Sequence, residues 1–199
     1  MARQRRSYAE RRAEKEAIDD PAVVLEAAAR FLEARGRSVA EVRRRLATAG
    51  YRAELIDAAI VRLTDLGMLD DATFAKAWIE SRDRARPRGE RALSNELRIR
   101  GVDRNVIVDA LEDRRATAED AGEGRDDDAE APPSADEAAA ERLLARHARA
   151  LERVADPRAR RQRAYALLAR NGFDPGVCSS MSARMADTTD VDASEQEAE

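Results

Sequence analysis

Three stretches of this chain repeat one pattern, and that repetition restricts the fold more than any other feature. They are RSVAEVRRRLATAGY (37–51), RGERALSNELRIRGV (88–102) and ARRQRAYALLARNGF (159–173). Gly50, Gly101 and Gly172 align, each followed by an apolar residue (Tyr51, Val102, Phe173) and preceded at four residues by a leucine (Leu46, Leu97, Leu168). A further position four residues back holds Val42, Leu93 and Ala164. This is the pattern of a helix with an apolar face at i and i+4, stopped by a glycine that accepts the left-handed conformation, after which an apolar residue folds back on the helix end.

The spacing fits a repeat. The first two glycines are 51 residues apart and the last two 71, and the excess of 20 equals an acidic stretch at 115–134. A helix is expected before each repeated one. Asp20-Pro21 opens the first, Asp70 the second, which closes before Pro87, and Ser134 with Glu137 in capping-box spacing the third. A helix is expected after each as well, with apolar residues at Leu55, Ile56, Ala59 and Ile60, at Val106, Ile107, Ala110 and Leu111, and more weakly at Val177, Cys178 and Met181. The predicted fold is therefore all-α, with three tandem three-helix repeat units forming an elongated or curved array. The units are placed at 21–68, 69–114 and 135–185, with a basic and charged N-terminal extension at 1–20.

Composition agrees with a helical reading. Of the 43% apolar residues about half are alanine, 38% of the chain is charged and only 4% is aromatic, which favours helices with small cores. The net charge of −4 conceals segregation: 115–134 carries −5 and 186–199 carries −6, leaving +7 on the remainder. Both acidic segments are poor in large apolar residues and are expected to be a disordered linker and a disordered tail, either solvated or folded back over basic surface in competition with a polyanion.

Enzymatic chemistry finds little support. One cysteine (Cys178) and one histidine (His147) preclude a cysteine-cluster zinc site or a histidine relay, and no phosphate loop, GxGxxG turn or HExxH motif is present. The chain is expected to be no enzyme, to need no cofactor or metal, to be a cytoplasmic monomer, and to lack a membrane span. Asp70 and Asp71 read as helix-capping carboxylates and not as a catalytic pair, and Phe74 and Trp78, four apart, read as core, with base stacking the alternative. The candidate binding residues are the arginines on the three repeated helices: Arg43, Arg44 and Arg45; Arg88, Arg91, Arg98 and Arg100; and Arg160, Arg161, Arg163 and Arg170. Arg158 lies beside the last set. Three basic helices at regular spacing suit a repetitive polyanion or helical polymer, whereas ordinary solvated helix faces are the competing explanation in a chain with 34 arginines and two lysines.

Residues 37–51, LGMLDDATFAKAWIESR (66–82) and 88–102 together resemble the RecX family of regulators of the RecA recombinase. The features that carry the resemblance are Leu69, Asp70, Asp71, Phe74 and Ala75, followed by Gly89, Glu96, Leu97 and Gly101. The resemblance implies a modular three-repeat helical protein that binds RecA filaments on single- or double-stranded DNA, lying in the filament groove, and restrains ATP hydrolysis, strand exchange and co-protease activity. A helical DNA-binding protein acting independently of RecA is the alternative. Two departures stand out: Arg52 occupies a helix start where Asp103 and Asp174 serve the other units, and the acidic insert and tail lie outside the family pattern.

Overall fold

The computed structural model describes residues 7–120 and 133–196, and every regular element among them is an α-helix. In chain order these are α1 (Tyr8–Glu16), α2 (Pro21–Glu33), α3 (Val39–Ala49), α4 (Ala53–Asp65), α5 (Asp71–Ala85), α6 (Glu90–Ile99), α7 (Arg104–Asp120), α8 (Ala135–Glu152), α9 (Pro157–Arg170) and α10 (Pro175–Gln196). The residues group into two compact lobes, one of 1–75 with 97–107, the other of 76–96 with 108–199. Helices α5, α6 and α7 thus divide their residues between the two.

The helix starts follow from local chemistry. Asp20 accepts from the Ala22 amide at 2.9 Å, with Pro21 in the first helical turn. Ser38 with Glu41, and Ser134 with Glu137, form complete capping boxes. Asp156 accepts from the Arg158 and Ala159 amides. Each such cap satisfies amides that the helix itself leaves open. Arg52 makes no side-chain cap at α4; its guanidinium instead pairs with Asp19 at 2.5 Å.

The three aligned glycines do the same work. Gly50, Gly101 and Gly172 have φ of 103°, 80° and 81°. In each case the amide of the residue after the glycine returns to the leucine carbonyl: Tyr51 to Leu46, Val102 to Leu97 and Phe173 to Leu168, at 3.2–3.3 Å. These are Schellman turns, in which the apolar residue after glycine packs on the helix end. The leucines are at most 2% exposed, each burial contributing about 2 kcal/mol.

These turns also dock. In the first lobe the Ser38 hydroxyl donates to the Arg100 carbonyl at 2.6 Å, and a Cβ on Gly101 would lie 2.4 Å from that of Ala40. In the second lobe the equivalent residue, Gly89, donates its amide to the Asn171 carbonyl at 3.0 Å, and a Cβ on Gly172 would lie 2.5 Å from that of Ala92. A glycine turn therefore seats on the start of an earlier repeated helix in both lobes, and only small side chains permit the approach.

Three boundaries depart from the sequence expectation. The extension at 1–20 contains α1, which has no buried residue and is held by the Tyr8 hydroxyl donating to the Thr48 carbonyl at 3.1 Å, by Arg12 against Gly50 and by Lys15 5.0 Å from the Tyr51 ring centre. Helix α7 runs on to Asp120, into the stretch assigned to the linker, because RATAED contains neither proline nor glycine to stop it. Helix α10 continues to Gln196, so 186–196 are helical where an unfolded tail was expected. Residues 121–132 of the predicted linker and 197–199 of the tail lie outside the described residues.

Candidate polyanion interface

The arginines that look equivalent in the sequence have different surroundings. On α3, Arg43 pairs with Asp57 of α4, Arg45 sits 5.8 Å from the Phe31 ring centre, and Arg44 is exposed. On α6, Arg88 just before the helix is half-buried, bonded to Asn171 Oδ1 and 3.7 Å from Glu96. Arg100 is half-buried, with its carbonyl committed to Ser38, whereas Arg91 and Arg98 are exposed. On α9, Arg160 is 8% exposed and its Nε donates to the Val154 carbonyl at 3.1 Å. Arg160, Arg88 and Arg100 are therefore structural arginines and leave the set of surface contacts.

What remains on α9 is unusual. Its sequence, PRARRQRAYALLAR, has five arginines and no acid. Arg158, Arg161, Arg163 and Arg170 are exposed, and none makes an ion pair with a described residue. Like charges at i, i+3 on one helix repel, so this arrangement is mildly unfavourable by itself. Arg158, Arg161, Gln162 and Tyr165 fall on one face, and with Ser179 and Ser182 of α10 they line a shallow basin of about 280 Å³. Tyr165 is 37% exposed. Sequence reasoning missed Tyr165 and Gln162, although their i, i+3, i+4, i+7 spacing with the two arginines was available as a signal.

A wider groove of about 760 Å³ lies among α5, α7 and α8 in the second lobe. Its charges compensate internally. Lys76 pairs with Asp113 at 2.7 Å, and Arg142 lies 3.8 Å from Asp83. At its floor Arg114, with 6% of its side chain exposed, donates from Nε and Nη2 to Asp83 (2.9 and 3.0 Å), from Nη1 to Asp136 (2.7 Å) and from Nη2 to the Ala135 carbonyl (3.2 Å). Burial opposes the Arg114 charge, but its hydrogen bonds to Asp83 and Asp136 outweigh that and hold the guanidinium protonated. This is a fastener of three helices.

The motif residues have structural duties. Asp70 caps α5, accepting from the Ala72 and Thr73 amides at 3.0 and 3.1 Å. Asp71 does not share that cap: its Oδ1 accepts from the Val39 amide at 2.9 Å, holding the start of α3. Burial pushes its pKa up, against that backbone bond, with Asp70 and Glu41 adding to the rise. The folded protein thus binds the Asp71 proton more tightly than the unfolded chain, so this group's contribution to stability falls as pH rises through its titration. Asp71→Asn, which keeps the acceptor and removes the charge, is expected to change stability at neutral pH by less than about 0.5 kcal/mol, whereas Asp71→Ala loses about 1 kcal/mol. Urea midpoints check this; a larger loss for Asn than for Ala would contradict it. Leu69 and Phe74 are buried, at 1% and 8% exposure. Trp78 is only half-buried; Nε1 donates to Glu96 at 2.9 Å and Arg82 lies 4.3 Å over its ring.

Among the described residues no group of three His, Cys, Asp or Glu is placed to hold a metal ion, and no helix is long and apolar enough to cross a membrane. The acidic run Asp126–Asp128 lies outside the described residues. Cys178 is fully buried and its thiol pKa is pushed up by burial, as befits a core residue.

The sequence pattern of the RecX first three-helix domain matches residues 25–63, and that of the RecX second three-helix domain residues 70–111. A regulatory protein RecX of Mycobacterium ulcerans is 35% identical over 158 residues, covering 79% of this chain and 82% of the relative. The chain belongs to the RecX family. The regulatory protein RecX of Mycolicibacterium vanbaalenii is 44% identical over 90 residues, where the match spans 45% of this chain and about half the length (49%) of that relative. The crystal structure of RecX from Lactobacillus salivarius superposes with a TM-score of 0.63 at 19% identity over 84% of this chain and 97% of that one. A second crystal structure of a regulatory protein RecX gives 0.64 at 17% identity, covering 82% and 73%. At these identities the two structures establish the all-helical fold. The RecX domain matches contain Leu69 at neither end but include Asp70, Asp71 and Phe74 in the second domain and Arg43, Arg44 and Arg45 in the first.

Proposed function

We propose that this chain is a non-enzymatic, mainly negative regulator of RecA that binds RecA–DNA filaments and restrains their ATPase, strand-exchange and co-protease activities. Membership of a family named for regulation supports a regulatory role, and the observation that carries the binding mode is the set of exposed arginines without acidic partners, foremost Arg158, Arg161, Arg163 and Arg170. Exposed Arg44, Arg91 and Arg98 supply further positive charge. Exposed cations on rigid helices attract a polyanion at long range and release counterions on contact. The three units of the sequence repeat remain the organising framework of this reading, and the chain acts as a cytoplasmic monomer in it.

Fluorescence anisotropy of the labelled protein against RecA filaments on single-stranded DNA, and against the bare strand, tests the reading. Filaments are expected to bind at concentrations at which the bare strand does not, and charge reversal at Arg161, Arg163 and Arg170 together is expected to weaken filament binding at least about tenfold. Equal affinity for filament and bare DNA favours the second reading, a DNA-binding protein independent of RecA, for which the uncompensated charge of α9 is the specific support.

A further inference from the structure

We propose that the α9–α10 face is a binding site for one strand of DNA, with Tyr165 as the platform on which a base stacks and Arg158 and Arg161 as the contacts to the flanking phosphates. This deepens the proposed function and rests on its DNA-binding part, not on RecA.

Three features of the basin define the ligand. First, it is cationic without compensation: α9 contains no acid, and neither Arg158 nor Arg161 has an ion-pair partner among the described residues. A surface that only needed solubility would gain from alternating signs, as elsewhere in this chain, where Arg30 pairs with Glu26 and Arg115 with Glu90 at 2.5 Å. Second, an aromatic ring stands exposed among those cations. Tyr165 lies four residues from Arg161 and seven from Arg158, one turn and two turns along the same face. One helical turn rises 5.4 Å, comparable to the spacing of successive residues along an extended nucleic-acid strand, so ring and guanidinium address neighbouring groups of one chain. Third, the rest of the lining is hydrogen-bonding and small: Gln162 on α9, and Ser179 and Ser182 on α10. Ser182 is 1% exposed with its hydroxyl turned to the Ser179 carbonyl at 3.2 Å, which leaves Gln162 and Ser179 to meet a ligand.

The aromatic ring selects the single strand. In a duplex the base faces are stacked on one another and unavailable, whereas a single strand offers a face to any exposed ring, without sequence preference. A duplex would use the arginines alone. Phosphate contacts and stacking therefore leave separate signatures: the former set the salt dependence, the latter does not.

The test is anisotropy of a fluorescent oligothymidylate titrated with the full chain, without RecA, over a range of salt concentrations, and the same with a duplex. Tyr165→Ala is expected to weaken single-strand binding about five- to a hundredfold at unchanged salt slope, and to leave duplex binding unaltered. Tyr165→Phe, which keeps the ring, is expected to bind as the parent does. Arg158→Ser with Arg161→Ser should lower the slope of log affinity on log salt by about 1.4. Circular dichroism of the variants separates these effects from unfolding. Single-strand affinity unaffected by Tyr165→Ala, or lost equally for duplex, overturns the site. RecA inhibition retained while Tyr165→Ala changes nothing removes this site and keeps the filament reading; single-strand binding through Tyr165 with no effect on RecA does the reverse.

Discussion

Replacing Arg114 with methionine is expected to cost about 3–5 kcal/mol, the usual penalty for removing one member of a buried charge cluster and leaving its partners unpaired. The guanidinium joins Asp83 of α5 to Ala135 and Asp136 of α8 through four bonds of 2.7–3.2 Å, and Asp136 in turn accepts from the Glu90 amide at 3.3 Å. Without Arg114 the Asp136 carboxylate loses its counter-charge, and Asp83 keeps only Arg142, 3.8 Å away. Burial already pushes the Asp136 pKa up against the pull of Arg114, so removal of the arginine raises it further and favours uptake of a proton. The single tryptophan, Trp78, lies in the same lobe and reports its unfolding directly. Its fluorescence transition is expected to fall by roughly 6–20 °C in the variant. Adding Asp83→Asn and Asp136→Asn should recover part of the loss, since the stranded charges disappear. An unchanged transition in Arg114→Met would show that the cluster contributes nothing net.

Gly89→Ala is expected to be comparably damaging for a different reason. The new Cβ would lie 2.3 Å from the Gly172 carbonyl oxygen and 2.4 Å from the Phe173 Cα, both backbone atoms that no rotamer change can move. Separating α6 from the Gly172 turn also breaks the bond from the Gly89 amide to the Asn171 carbonyl. The cost is about 3 kcal/mol or more, at the upper end of overpacking effects. Two other glycines serve as internal references. Gly67 has φ of +67° and nothing within 4 Å of an added Cβ, so its alanine variant should lose only the conformational term, about 1–2 kcal/mol. Gly36 has no positive φ and an ordinary 3.8 Å contact with Phe74, so Gly36→Ala should be neutral or stabilise by up to about 1 kcal/mol. Urea midpoints in the order Gly36, Gly67, Gly89 are expected; a Gly89 variant no worse than Gly67 would contradict the docked geometry.

Much of the local structure was readable in the sequence because it is written in short range. Ser38 with Glu41, Asp156 with Pro157, and glycine followed by an apolar residue each specify a helix end through atoms a few residues apart. The family was readable for the same reason, since its motif combines a cap (Asp70) with a buried leucine just before it (Leu69) and a buried helix residue four places on (Phe74). Features that depend on distant partners were not. Asp71 looked like a second cap because nothing in the sequence signals that its acceptor serves Val39, 32 residues earlier. Arg114 stood at a predicted domain edge, and its partners come from two other helices without any characteristic spacing. Helix α1 was missed because YAERRAEKE buries nothing and its apolar side consists only of Tyr8, Ala9 and Ala13, too few and too small to stand out from the surrounding charge.

The candidate interface shows the same division. Identical-looking arginine clusters separated into paired, buried and unpaired groups only when their neighbours were known: Arg43 with Asp57, Arg160 with the Val154 carbonyl, Arg161 and Arg163 with no ion-pair partner among the described residues. Pattern reveals where positive charge is placed. Only packing reveals which of it remains available.

The most direct test of regulation is ATP hydrolysis by RecA on single-stranded DNA with this chain titrated in, paired with a binding curve on the same DNA without RecA. Inhibition complete well below the concentration that coats the bare strand is expected of a protein that acts on the filament. No inhibition at stoichiometric amounts, or inhibition only once the bare DNA is saturated, would contradict it.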